Sequence, residues 1–237
     1  MIRCKIAGLI VDVPEAGGLA SRCEEYACPD ESDADIVIRE ELYRIGRYPV
    51  NCPGSMVAYM ESAAQFYGRL VDHNGFYLHS SAVVLDGKAY LFSGDSGMGK
   101  STHTRLWQRV FGTDARVIND DKPALRRIDG VWYAYGTPWC GKDGININAH
   151  APVAGVCFLK QAHHNAIRRL DSREALENIL RQTIWKFDDP AVLSAVLGHL
   201  DHFLKNIPVY ELENLPVPDA ARLSYETMRR GAEEAGL

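Results

Sequence analysis

The chain has 237 residues, 46% hydrophobic and 24% charged, enough for a full buried core as one domain or one domain with a small appendage. Its net charge of −5 argues against a general nucleic-acid binder, and no apolar run approaches a membrane span in length. The start Met1-Ile2-Arg3-Cys4-Lys5 lacks a signal peptide's apolar core, so a cytoplasmic protein without membrane partners is expected. Six cysteines (Cys4, Cys23, Cys28, Cys52, Cys140, Cys157) form no Cys-x-x-Cys pair, which points to free thiols rather than structural zinc.

Residues 1–54 read as a small N-terminal α/β unit. Ile6, Leu9, Ile10 and Val11 suggest one strand and residues 34–39 another, with a short helix from Leu19 to Tyr26 between them. Nothing in this unit carries recognisable chemistry. Residues 55–237 read as the larger core. Pro53-Gly54 marks a turn, and Ser55 suits the N-cap of a helix reaching about Val71. Met56, Tyr59, Met60, Ala63, Phe66, Tyr67 and Leu70 make that helix's apolar face. Two strands follow, residues 76–85 and 88–93, joined by Asp86-Gly87, a strong signal for a two-residue hairpin turn.

The second hairpin strand feeds the most informative stretch. Gly94, Gly99, Lys100 and Ser101 fit the phosphate-loop pattern of Gly, four residues, then Gly-Lys-Ser/Thr. Glycines at 94, 97 and 99 let the backbone curl so that successive N–H groups point at phosphate oxygens. The helix opening near Lys100 adds unpaired N–H groups and its positive dipole end. Gly94, Asp95, Ser96, Gly97, Met98, Gly99, Lys100, Ser101 and Thr102 are therefore the expected nucleotide contacts. In such a loop Lys100 meets the β- and γ-phosphates, and Ser101 offers its hydroxyl to Mg²⁺.

Past this helix, whose Leu106, Trp107, Val110 and Phe111 share a face before a stop at Gly112, residues 115–118 read as a short strand. It ends in Asn119-Asp120-Asp121, and a carboxylate there is what a phosphate-loop enzyme needs to hold Mg²⁺ directly or through water. Val131–Tyr135 is a further strand. The glycine-rich loop 136–144 is open to two readings, a cover over the nucleotide with Lys142 facing phosphate, or an ordinary connection. Residues 153–159 form a buried strand. Asp171 with Glu174 gives a capping-box start to a helix carrying Leu176, Ile179, Leu180 and Ile184, and helices from Pro190 to Phe203 and from Ala220 to Arg230 follow. His199 with His202, and His163 with His164, suit exposed positions better than metal ligands.

The hairpin, the loop and the acidic pair together resemble the HPr kinase/phosphorylase family, whose nucleotide site is shared with phosphoenolpyruvate carboxykinases. Those families place a histidine on the first hairpin strand, where this chain has His79 in Leu78-His79-Ser80-Ser81-Ala82, 100 − 79 = 21 positions before Lys100. Residues 94–101 are similar to that family's loop almost residue for residue, and Asp120 and Asp121 look like its paired aspartates. The likeness covers roughly residues 76–160. Thr102-His103 departs from the usual HPr kinase continuation and looks closer to the carboxykinases, and the N-terminal unit is short for an HPr kinase.

The resemblance implies an α/β fold with a mixed-sheet phosphate-loop core, a small N-terminal α/β unit and C-terminal helices, assembled as a homo-oligomer. It implies an ATP- and Mg²⁺-dependent kinase that moves the γ-phosphate to a hydroxyl on a small protein, a peptide or a metabolite. Carried over by position, Asp120 accepts the acceptor's proton, Asp121 helps hold Mg²⁺, and His79 sits near the metal or the transferred phosphoryl group, with the two aspartates free to exchange roles. The carboxykinase-like lyase is disfavoured because 237 residues leave little room for a second lobe. A nucleotide-binding regulatory module without transfer would need no proton acceptor, which speaks against it.

Overall fold

The computed structural model describes residues 1–15, 18–183 and 190–237. It is a mixed α/β fold in which a curled mixed sheet is flanked by helices. Near the N-terminus, β1 (Ile2–Ile6) and β2 (Leu9–Val13) form an antiparallel hairpin, with the short β3 (Ile36–Val37) parallel to β2. The single strand expected at Ile6–Val11 is thus two. Ala7 and Gly8 both take positive φ, 53° and 75°, which reverses the chain in two residues and sets Ile6 against Leu9. Helix α1 (Leu19–Cys23) continues into a 3₁₀ turn at Glu24–Tyr26.

Helix α2 (Gly54–Leu70) starts one residue before the expected cap. Pro53 holds the N-cap position, no side chain caps the helix, and Ser55 lies inside its first turn. Ala63, Phe66, Tyr67 and Leu70 are buried against the N-terminal sheet and Trp139, whereas Met56 is exposed.

The continuous strand expected over residues 76–85 breaks at Leu78-His79. β4 (Gly75–Tyr77) pairs with β8 (Ala124–Ile128), while β5 (Ser80–Leu85) pairs with β6 (Lys88–Ser93) and β7 (Arg116–Asp121). The break is where the chain crosses between two parts of the sheet. The turn at Asp86-Gly87 has positive φ at both residues, 50° and 72°, as the hairpin signal required.

Strand β10 (His150–Gln161) is longer than expected and joins the two parts. Its start pairs with β9 (Val131–Tyr135), and its remainder runs parallel between β6 and β12 (Val209–Asn214). β11 (Ala166–Arg169) closes the β12 side. Neither β8, β11 nor β12 announces itself in the sequence.

Side-chain alternation along β6 and β10 fills both faces of the sheet. Leu91, Val156 and Phe158 face a core completed by α4 (Ser172–Thr183) and α5 (Pro190–Asn206). Tyr90, Phe92, Cys157 and Leu159 face the other, completed by α3 (Lys100–Phe111) and α6 (Pro218–Glu234). Asp171 caps α4 as expected, its Oδ1 accepting from the amides of Arg173 and Glu174 at 2.9 Å each, while Glu174 accepts from the Asp171 amide. Ile184, expected on the apolar face of α4, lies outside the described residues. No helix among the described residues is long and apolar enough to cross a membrane.

Candidate active site

The topology gathers three separate sequence signals at one edge of the sheet. β5 lies between β6 and β7 and is antiparallel to both, with Ser80 opposite Ser93 on one side and Asp121 on the other. The start of β5 therefore adjoins the ends of β6 and β7. His79, in the break before β5 rather than within a strand, meets Asp121 at the end of β7 and, through Gln182, the glycine loop that follows β6.

The loop curls as its glycines permit. Gly94, Gly97 and Gly99 take φ of 139°, 86° and 95°, a region that residues with a Cβ rarely enter. At Gly94 a Cβ would also stand 3.3 Å from the Leu159 carbonyl oxygen. Gly99 is the N-cap of α3, so the first amides of that helix have no partners inside it. Lys100 is buried, its Nζ donating to the carbonyls of Gly94 at 2.9 Å and Asp95 at 3.3 Å. Burial pulls its pKa below the usual lysine value, against the opposing charges of Asp121, Asp120 and Asp95.

Alternation along β7 sends its two acids to different partners. Asp120 is buried and accepts from the Ser101 hydroxyl, at 2.9 Å to Oδ2 and 3.2 Å to Oδ1. Asp121, with φ of 109°, meets His79 Nε2 at 2.8 Å through Oδ1 and Lys122 Nζ through Oδ2. Burial acts to raise the Asp121 pKa. The His79 contact and the Lys122 charge outweigh it and hold the carboxyl well below the usual carboxylate range.

His79 is fixed from its other side as well. Its Nδ1 lies 2.9 Å from Gln182 Oε1, and Gln182 Nε2 donates to Asp95 Oδ1 at 2.8 Å. Both ring nitrogens of His79 thus face side-chain oxygens of the site. A chain of bonds runs from the glycine loop through α4 and His79 to Asp121 and Lys122. Sequence reasoning missed Gln182 and Lys122. Lys122 adjoins Asp121 and had a signal in that adjacency; Gln182 had none.

Loop 136–144 is two things in one. Its first half is pinned: Asn119 Nδ2 donates to the carbonyls of Thr137 and Trp139 at 3.1 Å each, and Asn119 Oδ1 accepts from the Lys122 amide at 2.7 Å. A Cβ on Gly136 would stand 1.9 Å from the Ile147 carbonyl oxygen, and one on Gly141 would stand 3.0 Å from that of Asp120. The tip is exposed, with Asp143 paired to Arg105 at 2.5 Å and Lys142 open to solvent. The second ammonium at the acids is Lys122, which also lies 5.5 Å from the Tyr59 ring centre.

Four further histidines are engaged elsewhere. His103 is buried between α3 and α6, with Nε2 3.0 Å from Ser224 Oγ. His199 Nε2 lies 2.9 Å from the Val71 carbonyl, and His202 Nδ1 accepts from Trp132 Nε1 at 3.0 Å. His164 pairs with Glu213 at 2.7 Å. Among the described residues no group of three or more His, Cys, Asp or Glu could hold a metal ion by itself.

On the other flank of the glycine loop a cavity of about 610 Å³ opens, lined by Gly97, Met98, Thr102, Gln161, His163 and Asn214 among others. Gln161 Nε2 donates to the Gly97 carbonyl at 3.1 Å and ties the loop to the end of β10.

The chain is similar in structure to the Hpr(Ser) kinase/phosphatase from Coxiella burnetii. The TM-score is 0.37 at 13% identity, over 67% of this chain and 96% of that one. No protein-family model and no curated protein matches the chain. A likeness that distant says nothing of activity, so what the site can do follows from its own side chains.

Proposed function

We propose that the protein is an ATP- and Mg²⁺-dependent phosphotransferase that moves the γ-phosphate to a hydroxyl acceptor on a small protein, a peptide or a metabolite. The observation that carries this reading is the meeting of the Ser101–Asp120 and His79–Asp121 pairs beside a glycine loop closed by Lys100. A module that only binds nucleotide needs no acceptor for a hydroxyl proton, and this site has a second carboxylate besides the one that suits the metal.

In this reading the amides of residues 94–102 hold the phosphate chain, and the nucleoside lies in the adjoining cavity. Lys100 exchanges its two carbonyl partners for β- and γ-phosphate oxygens. Ser101, Asp120 and Asp121 offer the hard oxygen atoms that suit Mg²⁺, which takes one or two protein ligands and completes its shell with water and phosphate. When bound, the ion supplies charge neutralisation at the β- and γ-oxygens.

Different surroundings of the two acids support different roles for them. Asp121, flanked by His79 and Lys122, is a persistent negative charge and a poor proton acceptor, which suits the metal's surroundings. Asp120, which accepts from the Ser101 hydroxyl, is the carboxylate left to take the acceptor's proton. The acceptor oxygen forms the new bond to the γ-phosphorus as the bridging bond to ADP breaks, and its proton passes to Asp120. His79 and Lys100 face the charge that spreads over the transferred group.

Incubation with γ-labelled ATP, Mg²⁺ and a lysate of the source organism tests this. Label should appear on a Ser, Thr or alcohol acceptor and vanish with Asp120→Asn. No label on any acceptor, alongside intact ATP binding, would favour the binding module instead.

A further inference from the structure

The N-terminal unit, without recognisable chemistry in its sequence, sends one cation to the edge of the candidate site. Arg22 lies in α1, and this part of the chain is pinned beside the glycine-rich loop. Asn146 Nδ2 donates to the Arg22 carbonyl at 3.4 Å, and Asn148 Nδ2 to the Glu25 carbonyl at 2.9 Å. The Arg22 side chain is half-buried. Its Nη1 donates to Cys140 Sγ at 2.9 Å, and its guanidinium carbon lies 5.1 Å from the centre of the Tyr59 ring. Tyr59, from α2, donates its hydroxyl to the Cys140 carbonyl at 2.5 Å. A cation, an aromatic ring and a thiol thus converge on one point of the loop.

That point adjoins the two acids. A Cβ on Gly141 would stand 3.3 Å from Asp121 Cβ and 3.5 Å from Asp120 Oδ2. Neither acid is available to Arg22, because Asp121 holds His79 and Lys122 and Asp120 holds the Ser101 hydroxyl. Among the described residues no carboxylate pairs with Arg22, and its Nε and Nη2 have no hydrogen-bond partner. Burial raises the Cys140 pKa against the charges of Arg22 and Lys122, so the sulfur is a neutral thiol and a weak acceptor. The guanidinium charge is therefore left without a counter-charge. Its unused donors form the planar fork that fits a carboxylate or a phosphate. Lys122 Nζ, 5.5 Å from the centre of the same ring, is engaged by Asp121 and adds no free donor.

We propose that Arg22, with Tyr59 beside it, binds the carboxylate or phosphate group of a small hydroxyl compound. Arg22 and Tyr59 are both half-buried, which suits a metabolite-sized anion better than a protein surface. The anion subsite stands on Arg22 and its surroundings. Only the further consequence, that the compound held there is the acceptor of the γ-phosphate, rests on the phosphotransferase reading.

Calorimetry on the full chain tests this, with the phosphate loop filled by Mg·AMP-PNP so that an added anion does not settle there. The probes are glycerate, glycerol phosphate and, as their uncharged counterpart, glycerol. At least one of the two anions should bind one-to-one, and glycerol at least about tenfold more weakly. Arg22→Gln should weaken that anion at least about tenfold, with Arg22→Lys in between, while Tm and Mg·AMP-PNP affinity stay at wild type. Arg109→Gln, which removes the same charge from an exposed position on α3, should leave anion binding unchanged. No binding of either anion up to about 10 mM, equal binding of glycerol, or anion binding that survives Arg22→Gln would overturn the proposal. So would a loss in Arg22→Gln matched by a fall in Tm, which would assign Arg22 to the fold. Anion binding that depends on Arg22 in a protein that fails to bind Mg·AMP-PNP would keep the subsite and remove the phosphotransferase reading instead.

Discussion

His79 Nε2 lies 2.8 Å from Asp121 Oδ1, although the two residues are 121 − 79 = 42 positions apart and lie on neighbouring segments of the sheet. The pairing follows from β5 lying antiparallel between β6 and β7, which brings the start of one strand beside the ends of two others. It places an imidazole ring and a carboxylate side by side, joined to the glycine loop through Gln182.

If Asp120 accepts the proton, Asp120→Asn should lower kcat by about 10³-fold, within the usual range for a general base. The Kd for ATP should change by less than about threefold. Steady-state kinetics and calorimetry on the same preparation check this. Parallel loss of both would assign Asp120 to nucleotide binding instead.

Gln182 acts on His79 rather than on phosphate. Gln182→Leu keeps the bulk but leaves His79 Nδ1 without its partner, so kcat should fall about 10- to 100-fold while KM for ATP stays near wild type. The double variant His79→Ala/Gln182→Leu should be no slower than His79→Ala alone, because both changes disable one unit. Additive losses would mean that Gln182 works independently of the ring.

Gly136 is a packing requirement. Gly136→Ala drives a Cβ into the Ile147 carbonyl and should destabilise the fold by about 3 kcal/mol, lowering Tm by roughly 6–12 °C for a chain of this size. Gly144→Ala, with nothing within 4 Å of its Cβ but a φ of 68°, should cost only about 1 kcal/mol by differential scanning calorimetry.

His103 makes stability depend on pH. Burial lowers its pKa, an Asn214 contact opposes this, and the result is a value of about 4. The folded state therefore keeps the ring neutral while the unfolded chain binds a proton below about 6.5. Stability is full above that value and falls by about 1.4 kcal/mol per pH unit as pH drops toward 4. Urea unfolding of His103→Gln should show a flatter slope across that window. An unchanged slope would place the titration elsewhere.

Local chemistry made parts of this structure legible from sequence. Asp86-Gly87 marks its hairpin because both residues take positive φ, and glycines 94, 97 and 99 announce a curled loop for the same reason. Asp171 and Glu174 cap their helix through bonds only three residues apart. Long-range pairing was not legible. The apolar run over residues 76–85 has no punctuation at Leu78-His79, so only the competing partners β8 and β6 show that it breaks. β8 and β11 carry Arg126, Arg127, Arg168 and Arg169, which mask strand periodicity, and their pairing depends on distant strands. The candidate site was visible in His79, Lys100, Asp120 and Asp121, yet Gln182 joins it only because α4 ends beside the glycine loop.

Calorimetric titration of Mg·ATP into the wild-type protein and Lys100→Ala tests the central claim most directly. Saturable one-to-one binding that weakens at least about 100-fold in the variant is the expected result, since a buried ammonium facing phosphate is worth roughly 3 kcal/mol. Absence of binding to the wild type, or equal affinity in the two proteins, would contradict it.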